Sequence, residues 1–176
     1  AVEKDPAGTV KPFTKDEVSL LYWTGATWGA AVSAGSEKPE LLNQLPIVRA
    51  IMARALELDE GYELGGIHDV LISLDSLPEA MGGSVKNARQ HFARSVELSK
   101  GQSASPYVSL AAGISVAEQN RKEFETLLGQ ALAIDVNQVP RLRLANVIYQ
   151  RKARALLARA DELFTPEKAP SHPTAV

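Results

Sequence analysis

The sequence predicts an all-α fold of helical hairpins packed side by side, as a right-handed superhelix or a compact α–α array. Three observations lead there. Apolar residues recur at helical spacing over most of the chain, and no segment alternates as a half-buried strand does. Glycine and proline clusters break the periodic runs at short intervals. Three octets, 52–59, 92–99 and 128–135, align without gaps at offsets of 40 and 36 residues. A single two-helix unit cannot bury its apolar stripe, so repeated units imply stacking around a shared core.

Each element follows in order. Thr14 with Glu17 forms a capping-box pattern, and Phe13 with Val18 supplies its hydrophobic staple. A helix over 15–34 is expected, stopped by Gly35. Gly25 and Gly29 weaken that helix by about 1 kcal/mol each relative to alanine, so the strip Gly25, Ala26, Gly29 and Ala30 implies a close neighbour. A second helical region starts at 36–39 and runs to about residue 60, with a break that leaves Pro46 in a first-turn position. Val48, Ile51, Met52, Ala55 and Leu58 form its apolar face. Further helices are expected over 62–74, 85–99, 106–119, 121–134 and 141–164, the fourth helix capped by Ser84. On the last of these, Leu144, Ile148 and Leu156 read as the buried side.

The ends differ from this body. Residues 1–12 read as a linker or a shortened N-terminal edge, 13–164 as the helical domain, and 165–176, rich in proline and small residues, as a disordered tail. Alanine at position 1 fits a processed or shortened chain.

The octets carry a more specific pattern. Ala88, Phe92 and Ser95 follow the A-x3-F-x2-small spacing of the second helix of a tetratricopeptide unit. Tyr62 before Gly65-Gly66 and Tyr107 before Ala111-Ala112 rhyme as first helices. An insertion over 75–83 lengthens the period. The closing proline is replaced by Glu60, Lys100 and Val136. The reading is a divergent tetratricopeptide array.

Composition narrows the function. The chain has 176 residues, 45% hydrophobic and 23% charged, with a formal net charge of −2. That balance points away from nucleic acid and anionic membranes as partners. The absence of cysteine excludes disulfides, thiolate catalysis and cysteine-ligated zinc. No His-x3-His or HExxH spacing exists, so no metal or cofactor is expected. Serines lack a nucleophile-elbow context, so no catalytic residue is expected. His68 and Asp69 lie about 100° apart on a helix and do not share a site.

The residues that fit binding are few. Trp23 and Trp28 suit the wall of an apolar ligand cavity, although core packing is the commoner role for each; the two point apart, so they meet different surroundings. Tyr62 and Tyr107 open helices that would line a concave face. His68 fits a lone polar group in a cavity or a hydrogen-bonded structural histidine. The last helix is basic, and Arg151 and Arg154 are candidates for docking a partner, against the plainer reading of a solvated face.

The stretches 21–24, 53–59, 82–88 and 151–164 occur in an order that resembles the T component of tripartite ATP-independent periplasmic (TRAP) transporters, the TatT-like proteins. The resemblance implies a periplasmic accessory protein with a cavity-enclosing helical fold. Such proteins are commonly lipid-anchored. It implies a TRAP substrate-binding protein as partner and small apolar organic acids as cargo. No lipobox cysteine has a counterpart here, so an anchor would lie upstream or be absent. Homo-oligomerisation stays open. The alternative is a tetratricopeptide scaffold that mediates protein–protein interaction and holds no small molecule.

Overall fold

The computed structural model describes residues 4–35 and 37–165. Within them the chain is helical and carries no strand. The expected start at Ser36 and the tail from 166 onward lie outside the described residues.

The segment expected to be a linker instead contains a short helix, α1 (Pro6–Val10), capped by Asp5, whose carboxylate accepts from the Gly8 amide at 2.9 Å. Val10 is buried, in the same apolar cluster as Val48 and Met52. A single 3₁₀ turn then leads into α2 (Val18–Ala34). Here the expected cap forms: the Thr14 amide donates to the Glu17 carboxylate at 2.6 Å. That interaction holds the Glu17 carboxyl below its usual range.

The second helical region is split as its prolines require. Pro39 opens α3 (Pro39–Leu42), and Pro46 sits in the first turn of α4 (Leu45–Leu58), where its missing N–H leaves no gap in the ladder. A Cβ on Gly25 would collide with Met52 Sδ of α4, and one on Gly29 would lie 3.4 Å from Val48 Cγ1. The small-residue strip of α2 is therefore the seam of the first hairpin.

The second hairpin pairs α5 (Gly66–Asp75) with α6 (Val85–Leu98). Gly65 precedes α5 at φ +96°, a left-handed conformation that favours glycine, and a Cβ there would lie 3.1 Å from Ser95 Cα of α6. Ser84 caps α6 as expected, accepting from the Asn87 amide. Arg49 of α4 donates to Asp75 at 2.7 Å and to the Leu74 carbonyl at 2.7 Å, tying the first hairpin to the end of α5.

The third hairpin joins α7 (Ser105–Leu110), continued by a wide helical turn over Ala111–Ser115, to α8 (Arg121–Ala133). The three octets each close the second helix of a hairpin. Their fourth positions, Ala55, Ser95 and Ala131, are all 0% exposed, which explains why each is small. The hairpins are otherwise unequal: α3 interrupts the first, and the wide turn interrupts the third.

The long final helix is broken at Arg159 into α9 (Arg143–Ala158) and α10 (Ala160–Leu163). The buried side of α9 differs from the sequence reading. Leu144 is 73% and Ile148 55% exposed, whereas Asn146 and Gln150 are buried. The reason is backbone satisfaction. Asn146 accepts from the Ala104 amide and donates to the Gln102 carbonyl, both at 2.8 Å. Gln150 donates to the Ala131 and Ile134 carbonyls at 3.1 and 2.8 Å, serving groups that the end of α8 leaves open. Burying those amides turns the aliphatic residues of α9 outward.

Candidate functional site

A cavity of about 700 Å³ opens between α2, α5 and α9. Ala26, Gly29 and Ala30 of α2 form one wall, while Gly25 beside them faces α4. Val70, Ser73 and Leu74 of α5 form the floor. Leu142, Ala145 and Tyr149 come from the opposite side. The small side chains of α2 leave this space open, and the lining is mainly apolar.

Polar groups gather at one part of the wall. Asp69 of α5 contributes to the lining and is partly buried. Ser95 Oγ of α6 donates to Asp69 Oδ1 at 2.5 Å, and Ser105 at the start of α7 lines the same wall. Burial outweighs hydrogen bonding to the carboxylate and pushes the Asp69 carboxyl up to about 7. The Tyr22 hydroxyl stands against Gly66, where a Cβ would lie 3.1 Å from it. Burial first, and then the Asp69 charge, push Tyr22 up to about 12. Ser103 and Tyr149 also line the cavity. Arg141 and Glu63 pair across it at 3.1 Å, both partly in solvent.

Of the expected ligand residues, Trp23 alone lines this cavity. Its ring is 58% exposed and meets Tyr22 edge-on at 5.1 Å between centroids. Trp28 points elsewhere: its Nε1 donates to Gln44 at 2.6 Å, fixing α2 to the start of α4. Tyr62 packs on Tyr22, and Tyr107 packs edge-on against Phe92. Neither belongs to the cavity lining.

His68 belongs to a different cluster. Its Nδ1 lies 2.8 Å from His91 Nδ1, and its Nε2 lies 3.3 Å from Glu60. Arg94 grips Glu60 through two 2.8 Å hydrogen bonds and holds its carboxyl down at about 2. His91 in turn faces Asp75 at 3.6 Å. This chain of groups ties α4, α5 and α6 together. Burial lowers both histidines below their ordinary value. His68 and Asp69 thus point to different surroundings, as their helical spacing requires. No group of three or more His, Asp or Glu side chains among the described residues is placed to hold a metal.

Arg151 and Arg154 are exposed on α9, which also carries Arg143 and Lys152 and no carboxylate. On the same helix Leu144, Val147 and Ile148 are exposed, and Trp23 of α2, also exposed, lines the cavity opposite. An apolar rim beside a basic flank results. Sequence reasoning missed Tyr22, Asp69, Ser105 and Tyr149. The one available signal was Asp69 itself, the one acid in the mainly apolar run 66–74.

No helix among the described residues is long and apolar enough to cross a membrane. An uncharacterized protein of Treponema pallidum (strain Nichols) is 28% identical over 155 residues, covering 86% of this chain and 47% of that protein. The chain thus spans about half the length of the relative it matches. The family model for the TRAP transporter T-component matches residues 2–164. The tetratricopeptide assignment made from the octets is not borne out; the unequal hairpins depart from a regular array, and the matching family is a different one. The chain belongs to the TRAP transporter T-component family.

Proposed function

We propose that this chain is a periplasmic accessory protein that holds a small, mainly apolar organic molecule in the cavity between α2, α5 and α9. It would act beside the substrate-binding protein of a TRAP system. The observation that carries the reading is the cavity itself. Its volume of about 700 Å³ is that of a small-molecule site, and an apolar lining with a few convergent polar groups is what such sites have. Family membership supplies the transport context. The mechanism is passive. Affinity comes from apolar burial at about 25 cal/mol per Å², and the polar wall orients the ligand.

The exposed ridge of α9 favours a docking role for the same molecule. Leu144, Val147 and Ile148 offer apolar area beside the cavity mouth, and Arg151 and Arg154 add charge that suits an acidic partner surface. A bound protein there would cover the opening through which the ligand passes.

Titration with the neutral fluorophore N-phenyl-1-naphthylamine tests the cavity reading. One saturable site per chain is expected, with Ala26→Trp weakening it at least tenfold while circular dichroism stays unchanged. Absence of saturable binding, or equal binding by the filled variant, overturns it. A photo-crosslinking residue in place of Val147 tests docking. The expected adduct in cells is with a TRAP substrate-binding protein.

A further inference from the structure

We infer that the cavity selects ligands with a cationic or hydrogen-bond-donating head group and disfavours carboxylates. The inference rests on the cavity reading above and names the chemistry of its polar wall.

The groups that could meet a head group are mostly acceptors or acids. Asp69 comes from α5 and Glu63 from the turn before it; Tyr22 comes from α2 and Tyr149 from α9. Arg141 is the one charged cation in the lining, and Glu63 already engages it at 3.1 Å. That pair is half in solvent, whereas Asp69 is the more buried acid. A ligand carboxylate would have to compete with Glu63 for the exposed guanidinium while its apolar body lay near Asp69. Two like charges in a low-dielectric space repel strongly. An ammonium or hydroxyl instead finds a carboxylate already positioned by Ser95 from α6. The Ser95 hydroxyl donates to Asp69, so the carboxyl is oriented before a ligand arrives, and ordering it costs the complex little further.

Burial supports a pH dependence for this preference. Asp69 sits near 7, so it is largely charged at pH 8 and largely neutral at pH 5.5. The other titratable or charged side chains lining the cavity are Tyr22, Glu63, Arg141 and Tyr149. Tyr22 is displaced to about 12 and stays protonated throughout this range.

The test is displacement of N-phenyl-1-naphthylamine by octylamine, octanol and octanoate, three probes with one chain length. At pH 8, octylamine is expected to displace the fluorophore at a concentration at least tenfold below octanoate, with octanol between them. The amine preference is expected to shrink at least threefold at pH 5.5 in the wild-type chain. Asp69→Asn is expected to abolish it at both pH values, and the wild-type pH series decides the matter even if that variant misfolds. Octanoate displacing best, equal displacement by all three, or no displacement by any of them overturns the inference while leaving the cavity reading intact. Failure of the fluorophore itself to bind removes the cavity reading instead.

Discussion

Ser95 Oγ reaches Asp69 Oδ1 at 2.5 Å, joining α6 to α5 at the point where Gly65 lets the two backbones touch. The corresponding places in the other two octets hold Ala55 and Ala131, equally buried. Packing at this position therefore needs only a small side chain, and the hydroxyl is an addition used in one hairpin. Ser95→Ala should keep the packing and lose the hydrogen bond to a carboxylate, costing about 1.5–3 kcal/mol. Urea unfolding at pH 8 measures it. A cost equal to that of Ala131→Ser, or none, would show that the hydroxyl has no such role.

Asp69 makes stability depend on pH in a direction opposite to most carboxylates. Its folded value, about 7, lies above its ordinary 3.8. The folded chain therefore keeps a proton that the unfolded chain releases. The favourable contribution is full below about pH 4, falls as pH rises through 7, and is flat above. The loss is on the order of 2–4 kcal/mol. His68 and His91 act the other way, since their lowered values cost stability as pH falls below about 6.5. Comparing the wild type with Asp69→Asn isolates the carboxyl. The variant should gain stability relative to wild type between pH 5 and pH 8, read from urea midpoints.

The α2–α4 seam predicts opposite results for two neighbouring glycines. Gly25→Val drives branched atoms into Met52 and Ile51, and overpacking of this kind costs about 1–3 kcal/mol. Gly29→Ala places its methyl at an ordinary 3.4 Å from Val48 and gains helix propensity of up to about 1 kcal/mol. Thermal midpoints of the two variants should therefore move in opposite directions.

The two tryptophans separate in the same way. Trp28→Ala removes the hydrogen bond to Gln44 and part of the first core cluster, and should cost about 3 kcal/mol in unfolding experiments. Trp23→Ala removes an exposed ring from the cavity wall. It should leave the unfolding midpoint within about 0.5 kcal/mol of wild type and weaken capture of an apolar fluorophore several-fold.

Much of this architecture was legible in the sequence because it is local. The Thr14–Glu17 cap, the break before Pro46, the Ser84 cap and the glycine seam of α2 each depend on residues within one or two turns. The octets located the second helix of each hairpin because a buried crossing admits only small residues such as Ala55, Ser95 and Ala131. The cavity was not legible. It is assembled from Ala26, Val70 and Ala145, which lie far apart in the chain. Its identity depends on which face α9 buries, and hydrophobic periodicity points to the wrong one. Asn146 and Gln150 are drawn inward by unpaired backbone groups of the 102–104 loop and the end of α8. No pattern of apolar residues records that demand. Trp28 and Tyr62 read as well as Trp23 for a ligand wall because aromatic side chains serve the core and the cavity alike.

Methyl-resolved NMR of the chain titrated with octanol tests the central claim most directly, because the cavity and the outer ridge of α9 carry separate methyl groups. The account predicts saturable shifts at Val70, Leu74 and Leu142, with Val147 and Ile148 unmoved. Shifts confined to Val147 and Ile148 would place the ligand on the surface and contradict it.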